Sequence, residues 1–377
     1  MRRQRPAAAA VFLLAMATVA CSSRRHDDAA QIDALMRDYT GNVPGAAVLV
    51  IHEGLPVVRR SYGMADLEHQ ISAAPATNYR LASITKQFTA AAILLLMEEG
   101  KLKLDDSIRK WLPSLPEVAD PITIRELLTH TSGLIDYEDV IPADTTAQVH
   151  DADVLHLLES QDHLYFPAGS AYRYSDTGYS LLSLIVGRVS GQDFATFLRE
   201  RIFKPLKMQN TLAFEEGISA VGHRAFGYSL QQGQWQRTDQ SLTSAVLGDG
   251  GIYSSIDDLA KWDAALYNGR LLKPATLKMA FAPATQTDDA NVQYGFGWRI
   301  SGESLWHSGE TMGFRNVIIR YPMHRLTVIV LSNRNDPETY PVALAIAKLY
   351  FPDADKVRAA TAVTGPDSAA RPLPKSD

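Results

Sequence analysis

The order of sequence patterns along the chain predicts a mixed α/β (α+β) fold, in which an antiparallel sheet is flanked by terminal helices and carries an inserted, mainly helical lobe. Short β-rich runs stand near both ends of the sequence, and apolar residues at helical spacing dominate its middle. No internal repeat of fixed period is visible, which argues against a solenoid or a propeller. The two ends together form a sheet lobe, and the middle of the chain forms a helical lobe. We expect a ligand site in the cleft between these two lobes.

The sheet prediction rests on six runs of apolar and β-branched residues. The first two flank the turn-forming segment 53–56 and predict a hairpin, whereas the last four alternate with turn residues and indicate an antiparallel meander. The predicted strands span residues 46–51, 57–62, 297–301, 304–308, 314–321 and 326–333.

Helices are predicted from apolar spacing and from start and stop residues. In the longest, an apolar stripe runs from Ile84 to Leu95 and Gly100 ends the helix; in a short one, Thr123 and Glu126 form a capping box. The predicted helices span residues 31–39, 81–99, 123–129, 178–189, 259–266 and 341–350.

These elements divide the chain into four parts. We expect a signal peptide at 1–20, a tether at 21–30, one folded domain at 31–351 and a disordered Ala/Pro/Asp-rich tail at 352–377. Within the folded domain, the sheet lobe is expected at 31–80 and 290–351, and the helical lobe at 81–289.

The first twenty residues have the features of a secretory signal peptide. Arginines at positions 2, 3 and 5 precede an uncharged apolar run, 7–20, that is short for a membrane span and ends in small residues. Cys21 follows directly, so that the boundary resembles the lipobox of bacterial lipoproteins, although Thr18 stands where leucine is usual. We therefore expect export to the periplasm and a lipid anchor on Cys21; the alternative is a simple secreted protein.

Composition excludes several classes of function. The 377 residues are 46% hydrophobic and 21% charged, with a net charge of −5, which is ordinary for a globular protein and lacks the basic footprint of a nucleic-acid binder. One cysteine permits no disulfide within the chain, and the histidines show no ligand spacing, so we expect no metal and no cofactor. The motifs of zincin proteases, P-loop NTPases, dinucleotide-binding enzymes and α/β-hydrolases are absent.

The motif with the clearest chemistry is a serine followed three residues later by a lysine. A serine hydroxyl becomes a strong nucleophile when a base takes its proton, and a lysine at i+3 lies on the same helix face. The spacing occurs twice, as Ser83 with Lys86 and as Ser107 with Lys110, and only the first pair opens a long apolar helix, whose N-terminus favours negative charge. The alternative interpretation of the first pair is a serine N-cap with its lysine on a solvated face.

Four further segments occur along the chain. They are the tetrad HTSG that begins at His130, the run PAGSAYRYSDTGY at 167–179, the stretch GGIYSS at 250–255 and the tripeptide His307-Ser308-Gly309. Together with Ser83-Ile84-Thr85-Lys86, they closely resemble the serine β-lactamase-related family, which includes class C β-lactamases, D-alanyl-D-alanine carboxypeptidases and family-VIII-like esterases. The resemblance extends over residues 31–350 and implies the β-lactamase/transpeptidase-like fold.

The resemblance implies catalytic roles for residues that match the family motifs. Ser83 corresponds to the nucleophile, Lys86 to its proton partner and Tyr174 to the tyrosine that passes the proton to the leaving group. The backbone N–H groups of Ser83 and Glu310 correspond to the oxyanion hole. Free tyrosine and lysine titrate near about 10 and about 10.4, so neither is a base at pH 7 unless its pKa is perturbed. Placed together, Lys86 and Tyr174 would share a proton and are therefore treated as one titrating unit.

The remaining matches correspond to substrate-binding residues. His307, Ser308 and Gly309 fall on the strand that borders the cleft, where His307 would orient the substrate or, when protonated, attract its carboxylate, and Gly309 would keep the edge open. His130 is interpreted as structural, bonding its own loop.

Asp176 departs from the family pattern, which has asparagine at this position. An ionised aspartate only accepts hydrogen bonds, so it would hold Lys86 protonated, shift the basic role toward Tyr174 and remove an amide donor to the substrate. A compatible alternative is that Asp176 caps the helix that begins near Thr177. Either way, efficient β-lactam hydrolysis becomes less expected.

The sequence therefore predicts an exported serine hydrolase that forms an acyl-enzyme on Ser83. The resemblance implies D-alanyl-D-alanine peptides or small esters and amides as substrates, with weak β-lactamase activity left open. A catalytically slow penicillin-binding or scaffold module of the cell envelope is the alternative. We expect a monomer that has no nucleic-acid partner and meets a membrane only through its lipid anchor.

Overall fold

The structure, a computed structural model, describes residues 28–355. The expected signal peptide, Cys21 and the tail beyond residue 355 lie outside the described residues. The helices are α1 (28–35), α2 (Lys86–Glu98), α3 (Ile124–Leu128), α4 (Asp151–Leu158), α5 (Asp176–Ser190), α6 (Phe194–Leu198), α7 (Leu247–Gly250), α8 (Ile256–Asn268), α9 (Pro274–Ala280) and α10 (Thr339–Tyr350).

The strands are concentrated at the two ends of the described chain. They are β1 (Ala46–His52), β2 (Leu55–Tyr62), β3 (Met64–Asp66), β4 (Ile71–Ser72), β5 (Tyr79–Arg80), β6 (Leu212–Ala213), β7 (Tyr228–Gln231), β8 (Gln234–Arg237), β9 (Ile252–Ser254), β10 (Thr285–Gln286), β11 (Gln293–Tyr294), β12 (Arg299–Ser301), β13 (Ser304–Thr311), β14 (Phe314–Tyr321) and β15 (Leu326–Ser332).

One eight-stranded antiparallel sheet has the order β10-β11-β12-β13-β14-β15-β1-β2. β1 pairs with β15 along its whole length, from Ala46 opposite Ser332 to His52 opposite Leu326. This pairing joins the two ends of the folded region in a single sheet. The predicted fold class, with both ends in the sheet and helices inserted between them, is therefore confirmed.

Both faces of β1 are buried, because helices cover the sheet on either side. Residues 46, 48 and 50 pack in one core with α1 and α10, the terminal helices. Residues 47, 49 and 51 pack in a larger core with α2 and α8 and much of the helical lobe. A strand buried on both faces is apolar at every position, which explains the continuous apolar run in the sequence.

Helix α2 is the centre of the helical lobe. Every residue from Lys86 to Leu96 is buried, and the helix packs against α5 and α7. A helix that is surrounded on all sides is apolar on all sides, so the lysine at its first position is exceptional and needs a partner for its charge.

Two element boundaries differ from prediction in ways that affect the site. The predicted helix 81–99 opens with a 3₁₀ turn, Ala82–Thr85, before α2 begins; because residues i and i+3 of a 3₁₀ turn stack directly, Ser83 and Lys86 still share a face. The predicted strand 304–308 extends to Thr311, which closes a two-residue turn with Phe314. The capping box of Thr123 and Glu126 is confirmed.

Candidate active site

Ser83 lies on the 3₁₀ turn where the helical lobe meets β13. The turn is tied to β9, because the Leu81 N–H donates to the Ile252 carbonyl (2.8 Å) and the Ile252 N–H donates to Thr85 Oγ1 (3.2 Å). Ala82 has φ +50°, a left-handed conformation that costs about 1–3 kcal/mol for a residue with a side chain. Ser83 itself is partly exposed and lines a narrow polar cleft.

The ammonium group of Lys86 lies beneath Ser83 and uses all three of its donors. Nζ donates to Ser83 Oγ (3.0 Å), to Asp176 Oδ1 (2.5 Å) and to the backbone carbonyl of Asp249 (3.1 Å). Lys86 is fully buried, so the interpretation that places it on a solvated face is wrong. Ser83 is likewise not an N-cap, because Leu81 occupies the N-cap position of the 3₁₀ turn and Thr85 occupies that of α2.

The charge of Lys86 is set by two opposing effects. Burial alone would lower the pKa of the amine, but the Asp176 carboxylate, followed by Tyr174 and Asp249, more than offsets burial and raises the pKa above its usual range. Lys86 is therefore an ammonium near neutral pH and carries no lone pair with which to accept the Ser83 proton.

Asp176 is the first residue of α5, and its carboxylate points at Lys86 rather than back onto its own helix. The N-cap position belongs to Ser175, and the Asp176 N–H donates to Asp136 Oδ2 (3.2 Å). The capping interpretation of Asp176 is therefore wrong, whereas its predicted contact with Lys86 is present.

Tyr174 precedes α5 and lies next to the same ammonium. Lys86 Nζ is 5.0 Å from the centroid of the Tyr174 ring, and the guanidinium carbon of Arg299 is 5.2 Å from the same centroid. The half-buried Tyr174 ring therefore lies near two cationic side chains. The structure thus brings together Ser83, Lys86 and Tyr174, the three side chains predicted to share the chemistry.

His307 occupies β13 but is buried and bonded within the protein. Its Nδ1 lies 2.6 Å from the Ser308 carbonyl, to which it donates, and its Nε2 lies 3.0 Å from the Tyr294 hydroxyl, from which it accepts. Burial, together with the charges of Arg299 and Lys86, lowers the pKa of the imidazole well below its usual value. The ring is neutral near pH 7, so the expectation that a protonated His307 attracts a substrate carboxylate does not fit this arrangement.

Gly309 lets β13 approach the Ser83 turn. A Cβ at this position would lie 2.0 Å from the Leu81 carbonyl oxygen, a distance that no side chain permits. Glycine at this position therefore serves close packing of strand against turn. Ser308, beside it, is partly exposed.

The strand register gives the direction of the Glu310 peptide. Thr311 and Phe314 close a two-residue turn and form a hydrogen-bonded pair, so Glu310 opposite Arg315 belongs to the alternate kind of pair, whose N–H groups point away from the partner strand. The Glu310 N–H accordingly faces the edge of β13 that lies beside Ser83, and Glu310 lines the cleft. This is the orientation that the oxyanion-hole prediction requires.

Several residues of the cleft were not predicted from sequence. Asp249 contributes its backbone carbonyl to Lys86, while its buried carboxyl accepts from the Tyr137 hydroxyl (3.1 Å). Glu138 and Arg80 also line the cleft. A signal for Asp249 was present in the run Gly-Asp-Gly-Gly at 248–251, because glycines around a polar residue mark a close backbone approach.

The second Ser-x-x-Lys pair has a structural role. Ser107 caps a 3₁₀ turn by accepting from the Arg109 N–H and donates to the Asp120 carbonyl, and Lys110 pairs with Asp106 on the surface. A roomier cavity of about 600 Å³ opens near α4, α5 and α6, but Ser83 does not line it. In residues 28–355, no group of histidines, cysteines or carboxylates is arranged to hold a metal ion.

Comparison with known proteins gives the family of the chain. Residues 30–350 match the Beta-lactamase family. The chain belongs to the beta-lactamase family. It is a serine hydrolase of this fold, and the family resemblance inferred from the motifs is confirmed.

Relatives within the family carry penicillin-binding names. The chain is 32% identical to penicillin-binding protein 4* of Bacillus subtilis over 316 residues, which cover 79% of this chain and 70% of that protein. It is 28% identical to protein flp of Staphylococcus aureus over 323 residues, which cover 82% of this chain and 64% of that protein, slightly less than two thirds of its length.

A solved structure shows the same architecture. The octameric penicillin-binding protein homologue from Pyrococcus abyssi superposes with a TM-score of 0.77 at 26% identity, over 88% of this chain and 78% of that one. Within residues 28–355, every helix is too short or too polar to cross a membrane.

Proposed function

We propose that this beta-lactamase family member is an exported hydrolase that acts through an acyl-enzyme on Ser83, with D-Ala-D-Ala-type peptides or small esters and amides as substrates. The observation that carries the proposal is the buried Lys86 ammonium, which donates to the Ser83 hydroxyl oxygen and is neutralised by Asp176. A buried cation beneath an accessible hydroxyl is costly for folding and is explained by chemistry at that hydroxyl.

Acylation starts when Ser83 Oγ attacks the substrate carbonyl carbon. The new oxygen–carbon bond forms as the hydroxyl proton passes to the Tyr174 phenolate, because Lys86 is already protonated and donates to the same oxygen. The backbone N–H groups of Ser83 and Glu310 hold the oxyanion of the tetrahedral intermediate. Its collapse breaks the bond to the leaving group, which takes the proton from Tyr174 and departs as an alcohol or an amine.

Deacylation runs through the same groups in reverse. Water loses a proton to Tyr174 as it attacks the ester carbonyl, and the second tetrahedral intermediate expels Ser83, which recovers the proton. The product is a carboxylic acid. Lys86 keeps its charge throughout and lowers the free energy of each anionic state.

The substrate ranking follows from two side chains. Asp176, paired with Lys86, offers a carboxylate where an asparagine would donate an amide N–H to the substrate. His307 is neutral near pH 7 and so supplies no cation for a β-lactam carboxylate. Both features argue against rapid β-lactam hydrolysis, and the second favours substrates without a carboxylate, such as small esters and amides.

Intact-mass measurement after exposure to a fluorophosphonate and to a labelled penicillin tests the proposal. We expect one adduct on the wild type and on Ser107→Ala, the matched serine of the other Ser-x-x-Lys pair, and none on Ser83→Ala. Absence of an adduct with both probes would support the alternative of a slow scaffold module. Rapid cephalosporin turnover without turnover of ester or D-Ala-D-Ala substrates would contradict the substrate ranking.

We also propose export with lipidation of Cys21, a single folded domain at 31–351 and a monomeric state. The sequence of residues 1–21 supports the first of these. Membrane fractionation of the wild type and of Cys21→Ser tests the anchor, which predicts that only the variant is released. Light scattering of the purified domain measures its mass in solution.

A further inference from the structure

We propose that His130 is a positioning residue for Tyr174, which it holds through the backbone N–H groups of both neighbouring residues and through a ring contact. The inference rests on the role proposed above for Tyr174. It assigns a function to His130 of the HTSG tetrad, a segment that contributes none of the catalytic groups proposed above.

The backbone contacts lie on either side of Tyr174. The Arg173 N–H donates to the His130 carbonyl (3.0 Å), and the Ser175 N–H donates to His130 Nδ1 (3.2 Å). One histidine therefore holds the backbone N–H groups of the two residues that flank Tyr174 in the chain. The left-handed backbone of His130, φ +58°, turns the carbonyl and the side chain toward the same segment.

The ring contact restrains the phenol itself. The imidazole lies over the Tyr174 ring with centroids 4.3 Å apart and an angle of 32° between planes. The same imidazole meets the Tyr294 ring edge-on, with centroids 4.6 Å apart. Backbone and ring contacts together leave Tyr174 little freedom to leave Lys86.

The acceptor role requires a neutral imidazole with its proton on Nε2. His130 is buried, and its Nε2 has no hydrogen-bond partner among the described residues. Burial, followed by the charges of Lys86, His307 and Arg299, lowers the pKa of His130 well below its usual value, which keeps Nδ1 free to accept. The titratable and charged groups that face the ring are Lys86 of α2, Tyr172 and Tyr174 before α5, Tyr179 of α5, Tyr294 of β11, Arg299 of β12 and His307 of β13.

Three variants separate the acceptor from the ring. His130→Asn keeps a side-chain oxygen near the position of Nδ1 and tolerates the left-handed backbone. His130→Phe keeps an aromatic ring without an acceptor, and His130→Ala removes both. His223→Ala is the matched control, because His223 is an exposed histidine with φ +49° far along the chain from this loop.

The first readout is the rate constant for Ser83 acylation by a small ester, with KM measured separately. We expect His130→Ala and His130→Phe to lose about 100-fold in acylation with KM changed by less than about threefold, as for a displaced catalytic group. His130→Asn should recover to within about tenfold of the wild type. Equal rates in all variants, or an Asn variant as slow as the Ala variant, would overturn the proposal.

The second readout is amide hydrogen exchange at Ser175, which requires no reaction at Ser83. We expect protection in the wild type, His223→Ala and His130→Asn, and exchange at least about tenfold faster in His130→Phe. Unchanged protection in His130→Phe would overturn the proposal even if Ser83 proved unreactive. If His130→Ala fails to fold, the comparison of Asn with Phe still decides.

Discussion

At the scale of single residues, the pairing of Asp176 with Lys86 determines which group can act as base. The ammonium sits 2.5 Å from the carboxylate and has no exposure to solvent. With an asparagine at this position, the lysine would lose its strongest source of stabilisation as a cation. The identity of residue 176 therefore determines whether the Lys86 amine or the Tyr174 phenol accepts the Ser83 proton.

Asp176→Asn should make penicillin a better acylating agent relative to an ester. The amide restores a donor to the substrate carbonyl and removes the carboxylate that raises the Lys86 pKa, which together are worth about tenfold in the ratio of the two acylation rate constants. Stopped-flow acylation with benzylpenicillin and with a chromogenic ester measures this ratio.

The matched control for that substitution is Asp136→Asn, because the Asp136 carboxylate accepts from the Asp176 N–H and does not bond Lys86. It removes the same charge in the same neighbourhood. A ratio that rises equally in both variants would show that the effect is a general one of charge and would contradict the account.

At the scale of elements, the sequence predicted those strands and helices whose apolar residues recur at a regular spacing. Apolar spacing predicted the strands β1, β2 and β12–β15 and six of the helices, and the order of the two ends predicted their shared sheet. The short strands β3–β11 and the helices α4, α6, α7 and α9 were not predicted. The 3₁₀ turn under Ser83 was not predicted, because local propensity does not separate a 3₁₀ turn from the first turn of an α-helix.

The candidate site could be predicted only where side-chain identity carries the function. Ser83, Lys86 and Tyr174 have recognisable types and spacing. The contact of Asp249 with Lys86 runs through a backbone carbonyl, which any residue provides. The neutral state of His307 depends on burial and on Arg299, eight positions away along the chain, and no local pattern encodes it.

The packing of β13 on the Ser83 turn gives a prediction at this scale. Gly309→Ala places a Cβ 2.0 Å from the Leu81 carbonyl, so the strand must move away from the turn. We expect a loss of about 1–3 kcal/mol in unfolding free energy and a loss of acylation larger than stability explains. Gly222→Ala, where nothing lies within 4 Å of the added Cβ, should change neither. Urea unfolding and ester acylation measure the two effects, and full activity in Gly309→Ala would contradict the assigned packing.

At the scale of the whole molecule, the fold gathers carboxyl groups around one buried cation. Asp136, Glu138 and Asp249 all have raised pKa values, first through burial and then through the Asp176 charge. The sheet lobe and helical lobe meet at this cluster. Its protonation therefore couples the stability of the assembled lobes to pH.

Glu138 provides the clearest pH test, because its pKa is raised to about 7. The folded state binds the proton more tightly than the unfolded state, so this contribution to stability is complete below the usual glutamate pKa of about 4.5 and is lost as pH rises through about 7. The Glu138 side chain is partly withdrawn from water within the cleft but reaches solvent at its rim, so screening limits the effect to about 1 kcal/mol.

The wild type should accordingly lose more stability than Glu138→Gln between about pH 4.5 and about pH 8. Urea unfolding midpoints across this range give the difference directly. Glu216→Gln, an exposed glutamate outside the cleft, is the control and should follow the wild type. Parallel pH curves for wild type and Glu138→Gln would contradict the assignment.

The most direct test of the central claim is to find the acyl group during turnover. The protein is mixed with an excess of a chromogenic acetate ester and the reaction is quenched in acid within the first turnovers. The protein is then digested and its peptides are mapped by mass spectrometry. We expect one acetyl group on the peptide that contains Ser83, and much less of it in Tyr174→Phe at the same quench time. Steady turnover with that peptide unmodified, or with the acetyl group on another residue, would contradict the central claim.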